Sequence, residues 1–278
     1  MLRTALASLA VSLAVAFAAP AFAQVGADLN ISPKRVVFKN GERNATVHIF
    51  NQGDEPATYT VEMTDRVMTP DGQISPLAEG AARPAWSAVD LVQYTPRRVT
   101  LQPKSSQAVR IRLRDGVAGE ERRSHLTVTA LPPESTGLTA AAAAASAGQD
   151  QLALQVIGMF SVSIPVIVRE GAAPSRAEIL DPVLVAAQGQ DKPRVTFTVT
   201  RQGGASIYGD VEVYAGEGRR RRLVGKTRGV AVYPEIGQRA FSIPLTETVA
   251  HSEPLKIVYL DDDQKPGAEL AAVSFAAP

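Results

Sequence analysis

The sequence predicts an all-β protein built from two β-sandwich domains. Three observations carry this. Apolar and polar residues alternate with period two through much of the chain. The alternating runs are short and bounded by turn clusters such as Asn40-Gly41, Asn51-Gln52-Gly53-Asp54 and Pro70-Asp71-Gly72, the punctuation of a sandwich. A Gly171-Ala172-Ala173-Pro174-Ser175 stretch then reads as a linker between two halves with the same strand logic.

Residues 1–23 read as a secretory leader. Arg3 supplies the positive start, Leu6 to Ala19 the apolar run, and Ala21-Phe22-Ala23 the small-x-small cleavage pattern. The run is short for a span and is interrupted by Ser8 and Ser12. Export to a bacterial periplasm or exterior follows, with no membrane span in the mature chain. The expected domains are residues 24–170 and 171–278. An exported chain with no cysteine rests on its apolar cores rather than on disulfides. Taking Arg3 from the 29 Lys and Arg leaves a balance with the 28 Asp and Glu. The mature chain lacks the basic excess of a dedicated nucleic-acid binder.

Along the chain, ISPKRVVF (Ile31 to Phe38) places a basic pair beside an apolar strand pattern. Charge is rarely buried without a partner. Arg35 is either a solvated side chain on an edge strand or a cation directed into a cleft toward an anion. Strands follow where Ala45, Val47 and Ile49, then Tyr59, Val61 and Met63, alternate with polar neighbours. In TPRRVTLQPKSSQAVRIRLR the turn at Pro103 to Gln107 returns the chain into a strand with Arg110, Arg112 and Arg114 on one face. Two readings apply to that face: a solvated sheet face whose charges deter edge pairing, or a surface for an anionic partner. Leu126, Val128 and Ala130 mark the next strand.

LPPESTGLTAAAAAASAGQD (Leu131 to Asp150) reads as a long mobile loop, a type that is often functional. It leads into QLALQVIGMFSVSIPVIVR (Gln151 to Arg169), a long strand-like run with Leu152, Leu154 and Val156 in one row. The second half predicts strands at Arg194–Thr200, Ser206–Tyr214, Arg222–Lys226, Val230–Tyr233, Arg239–Ile243 and Leu255–Leu260. Arg219 to Arg222 reads as a solvated hairpin tip or an anion contact, and Asp261-Asp262-Asp263 as an acidic turn without calcium-loop spacing.

No catalytic residues are expected. The sequence has no nucleophile elbow, P-loop or HExxH pattern. His48, His125 and His251 are too scattered for a metal site. No metal and no cofactor are expected.

The order of these features resembles the periplasmic pilus-assembly chaperones of the chaperone–usher pathway, the PapD-like family. IxPxRVVFxxGxRxATVxIFNQG resembles the family's first two strands. RRVTLQPKSSQAVRIRL resembles its P-x-x-x-Q-x-x-R-I segment. HLTVTALPP resembles the strand that ends in IPP before the family's mobile loop, and QLALQ the start of its long strand. The match spans Ile31 to Arg169 and is weaker in the second half.

The resemblance implies two immunoglobulin-like sandwiches set at an angle with a cleft between them. It implies a chaperone for pilus or fimbrial subunits that works by donor-strand complementation, with an outer-membrane usher as a further partner. Arg35 falls at the family's cleft Arg, which grips a subunit's terminal carboxylate. Leu152, Leu154 and Val156 fall on the donor strand, and the 131–150 loop is the segment expected to order on binding. The family's second cation, a Lys near IKLFYRP, is absent. Ser163 or Met159 stands in its place, so Ser163 joins Arg35 as the expected carboxylate contact. A secreted structural or adhesion sandwich is the alternative reading of the same residues.

Overall fold

The computed structural model describes residues 28–39, 41–114, 119–132, 159–187, 189, 191–250 and 252–276. The leader, the Leu152, Leu154 and Val156 row and most of the 131–150 loop lie outside the described residues.

Two separate cores account for the fold. In the first, β1 (Leu29–Ser32), β3 (Asn44–Asn51), β9 (Ser106–Leu113) and β7 (Val92–Thr95) form one sheet in the order β1-β3-β9-β7. The facing sheet runs β2-β11-β10-β4-β8, from β2 (Val36–Phe38), β11 (Ser161–Val168), β10 (Arg122–Ala130), β4 (Ala57–Thr64) and β8 (Arg98–Leu101). Alternation supplies the inner rows. Val47 and Ile49 of β3, Val109 and Ile111 of β9, Val61 of β4 and Leu126 and Val128 of β10 are almost wholly buried. This is an immunoglobulin-like sandwich. The chain changes sheets between β1 and β2, and β2 then pairs parallel with the end of β11, Val36 opposite Val166 and Phe38 opposite Val168. That crossing places Arg35 at the rim of the second sheet. A short ribbon, β5 (Arg66–Met68) with β6 (Ile74–Pro76), projects from the end of β4.

The second core lies between β12-β13-β16 and β15-β14-β17-β18. Its strands are β12 (Arg176–Val185), β13 (Arg194–Gln202), β14 (Ile207–Ala215), β15 (Arg222–Val232), β16 (Gln238–Pro244), β17 (Pro254–Asp261) and β18 (Glu269–Ala276). The two strands expected at 222–226 and 230–233 are one strand, β15. Gly229, at φ +61, lies within it, next to a register shift against β14. A left-handed residue inside a strand marks a bulge rather than an end. Strands β12 and β18 were not expected. Both are edges, where Pro182 and a small-residue sequence are tolerated. The 171–175 stretch is not a free linker. It packs on the Gly203-Gly204 turn, where a Cβ on Gly203 would lie 2.6 Å from the Pro174 carbonyl oxygen.

A third, smaller cluster joins the two sandwiches. Ile167 and Met68 from the first meet Ala231 and Tyr233 from the second, with Val37, Tyr208 and Ile236 at its margin. Among the described residues no helix is long and apolar enough to cross a membrane.

Candidate functional site

Of the charged groups that the sequence singles out in the first sandwich, Arg35 lies at this junction, in a network with Arg169. Arg169, immediately after β11, is at its centre. Its Nε donates to Glu121 Oε2 at 2.8 Å, its Nη1 to Asp263 Oδ2 at 2.7 Å and its Nη2 to Ser206 Oγ at 3.0 Å. Glu121 Oε2 also accepts from the Ser206 backbone N–H and hydroxyl. Glu121 and Arg169 come from the first sandwich, Ser206 and Asp263 from the second, so this network ties the two together. Burial opposes the charge on Arg169, but the carboxylates of Glu121 and Asp263 hold its pKa above the ordinary value.

Arg35 joins the same network. Its Nη2 donates to Asp263 Oδ2 at 3.0 Å, and its guanidinium lies over the Tyr208 ring, 4.2 Å from the centroid. The side chain is 12% exposed, and Nε and Nη1 have no acceptor. The anion that Arg35 meets here is internal. Lys39, half exposed, sits at the outer side with its Nζ 3.9 Å from Asp263 Oδ1. Asp263 is held by its own turn: Asp261 accepts backbone N–H bonds from residues 263, 264 and 265. The Asp261-Asp262-Asp263 run is thus an acidic turn, and one whose third residue is the shared counterion of two arginines.

A second buried pair lies across the junction. Arg123 on β10, 1% exposed, pairs with Glu235 of the second sandwich, bonds the Arg66 carbonyl at 2.9 Å and stacks on Tyr233 at 3.9 Å. Glu235 also accepts the Met68 backbone N–H at 3.1 Å. Burial pushes the Glu235 carboxyl up against the pull of Arg123. Two residues along β10, His125 is buried beside Arg123 and Arg66. Burial first, and then those two cations, lower its pKa to about 3.

Among the described residues no hydrogen bond joins Ser163 to Arg35. Its hydroxyl lies 2.8 Å from Thr127 Oγ1, which lies 2.9 Å from Thr64 Oγ1, a polar ladder across β11, β10 and β4. The parallel register begins with Val36 opposite Val166, and continuing it one residue back sets Pro165, which brings no donor, level with Arg35. Met159 is 66% exposed and precedes β11. Among the described residues no three His, Cys, Asp or Glu side chains group as a metal site. Sequence reading missed Glu121, Asp263 and Glu235. The separation of 228 positions between Arg35 and Asp263 explains why, since nothing local pairs them.

The model of the pili and flagellar-assembly chaperone PapD N-terminal domain matches residues 28–169. No curated protein matches the chain. Solved structures of similar architecture include the CupB2 chaperone of Pseudomonas aeruginosa, with 12% identity over 90% of this chain and 100% of that one at a TM-score of 0.45. The Escherichia coli chaperone DraB shows 16% identity over 90% and 95% at 0.41. The class 5 fimbriae chaperone CfaA shows 12% over 90% and 99% at 0.42. Superposition this loose carries no weight beside the family match.

Proposed function

We propose, from the premise that the chain belongs to the PapD-like family of pili and flagellar-assembly chaperones, that it is a periplasmic chaperone for pilus-type subunits. The observation that carries the reading is the extent of the match. It runs through the whole first sandwich to Arg169 and includes the 151–157 segment. The family is one of assembly chaperones, not of enzymes.

A pilus-type subunit that lacks its final strand exposes an apolar groove with unpaired backbone edges, a template for aggregation. The chaperone lends a strand. Backbone hydrogen bonds supply affinity, and alternate side chains, here Leu152, Leu154 and Val156, fill the groove. Binding energy does this without a nucleotide. The subunit is then released to an outer-membrane usher.

Arg35 is the anchor for the subunit's terminal carboxylate in this reading. A guanidinium can hold a carboxylate through two parallel bonds; its Nε and Nη1 have no acceptor but are buried, so a subunit's carboxylate reaches them only if the side chain or its cover moves. Because Asp263 already holds Nη2, a subunit carboxylate competes with Asp263 or shares the guanidinium with it. With Pro165 level with Arg35 and Ser163 bonded to Thr127, Arg35 acts without the family's Lys. Arg169, on the same Asp263 oxygen, is buried; Lys39, half exposed at the outer side of Asp263, is the accessible candidate for a second cation.

Native mass spectrometry of tagged protein from the periplasm of its own host tests this. A co-purifying small subunit that is lost in Arg35→Ala supports both the chaperone and the anchor. A subunit retained by that variant keeps the chaperone and removes the anchor. A bare monomer while surface fibres are being made contradicts both.

A further inference from the structure

The outer face of the β1-β3-β9-β7 sheet carries a basic groove that subunit capture leaves unused. Arg110 and Arg112 project from β9 as alternate, exposed residues. Thr46 and Thr95 flank Arg110 on the neighbouring strands, and Asn44 and Gln93 flank Arg112. Arg97 and Arg114 close the groove on the β7 side, Arg97 with its guanidinium 5.0 Å from the Tyr94 centroid. No carboxylate lines this groove. Among the described residues Arg97, Arg110 and Arg112 form no ion pair with any acid.

The protective reading of these charges fails on topology. Charged side chains deter edge-to-edge association when they stand on an edge strand. Strand β9 is internal, with β3 on one side and β7 on the other. Guanidiniums there guard no open edge. They repel one another across a face with no counterion, in a chain whose mature charges balance. Such a face is complementary to an anion.

We propose that this groove docks an acidic, extended segment of a protein partner. Spacing favours a polypeptide over other polyanions. Alternate residues of β9 stand about 6.8 Å apart along the strand. An extended peptide with Asp or Glu at every second position presents carboxylates at the same interval. Each guanidinium can then take one carboxylate through paired bonds. The flanking Thr, Asn and Gln side chains offer neutral hydrogen bonds to the peptide backbone between them.

Fluorescence anisotropy with the full mature chain and a labelled alternating Glu-Thr peptide, in about 0.1 M salt, tests this. The expected result is binding at least about tenfold tighter than to the matching Gln-Thr peptide. Arg110→Glu with Arg112→Glu should lose about tenfold or more, and so should the milder Arg110→Gln with Arg112→Gln. Both residues are exposed, and a melting curve checks that the variants fold. Arg219→Glu with Arg220→Glu, at the other basic turn, should bind like the parent. Equal affinity for the two peptides would overturn the proposal. So would full binding by the folded Arg110 and Arg112 variants, or tighter binding to polyphosphate or anionic lipid vesicles than to the acidic peptide.

Discussion

Arg35 and Arg169 share one oxygen of Asp263, at 3.0 and 2.7 Å. One carboxylate from the last turn of the second sandwich therefore fixes both the end of β11 and the start of β2. The same contact sets the relation of the sandwiches and occupies the residue proposed to receive a subunit's carboxylate.

Removing that carboxylate leaves Arg35 with no acceptor and Arg169 with Glu121 as its one counterion, at a junction where both guanidiniums are nearly out of water. Asp263→Ala should lower unfolding free energy by about 3 kcal/mol, read by urea denaturation. Asp263→Asn should lose less, because the amide oxygen still accepts. A surface-like loss well under 1 kcal/mol for the Ala variant would show that the network does not hold the junction.

The Arg123–Glu235 pair gives a sharper case. Glu235→Ala leaves Arg123, which is 1% exposed, without its carboxylate, and should cost about 3–5 kcal/mol. Replacing both, Arg123→Met with Glu235→Leu, removes the uncompensated charge and should recover most of that loss. A double variant as unstable as Glu235→Ala would contradict this account of the pair.

His125 should make stability fall in mild acid. Its folded pKa of about 3 lies below the ordinary value of 6.5. Unfolding therefore takes up a proton anywhere between those values, and stability is lost as pH falls through that window. The loss should reach about 2 kcal/mol at pH 5 relative to neutral pH. Glu235, whose pKa is raised, contributes a slope of opposite sign as pH rises above its ordinary value. The test is consequently the difference between the parent and His125→Gln. The variant should have the flatter stability profile between pH 7 and 5, and parallel profiles would refute the assignment.

Gly203→Ala should destabilise the second sandwich. The residue sits at φ +130, and a Cβ would lie 2.6 Å from the Pro174 carbonyl oxygen and 2.7 Å from Ser175. A cost of about 2 kcal/mol is expected, read as a lower melting temperature. Gly80, which has positive φ but open space around it, serves as the comparison and should lose less.

Period-two alternation made the inner strands legible in the sequence. In β3, β9 and β13 the inward rows are buried and the outward rows are not, so the pattern records the environment directly. The edges were less legible. Asp181-Pro182 interrupts β12 at a register shift, and the alanines of β18 carry little strand signal. The site divides in the same way. Arg35 stood out because its charge broke a local pattern. Its partner did not, because Asp263 reads as one acid in a turn until the second sandwich docks. The pairing of Glu121 with Arg169 across 48 positions depends equally on tertiary structure.

The most direct test of the central claim is capture of a pilus-type subunit from the same host by the parent chain and by Leu154→Glu, coexpressed and recovered through a tag on the chaperone. The account predicts that the parent brings down the subunit. The variant should melt at the same temperature yet recover little or none, because a carboxylate replaces the side chain lent to the groove. Equal recovery by both would contradict the donor-strand role of residues 151–157.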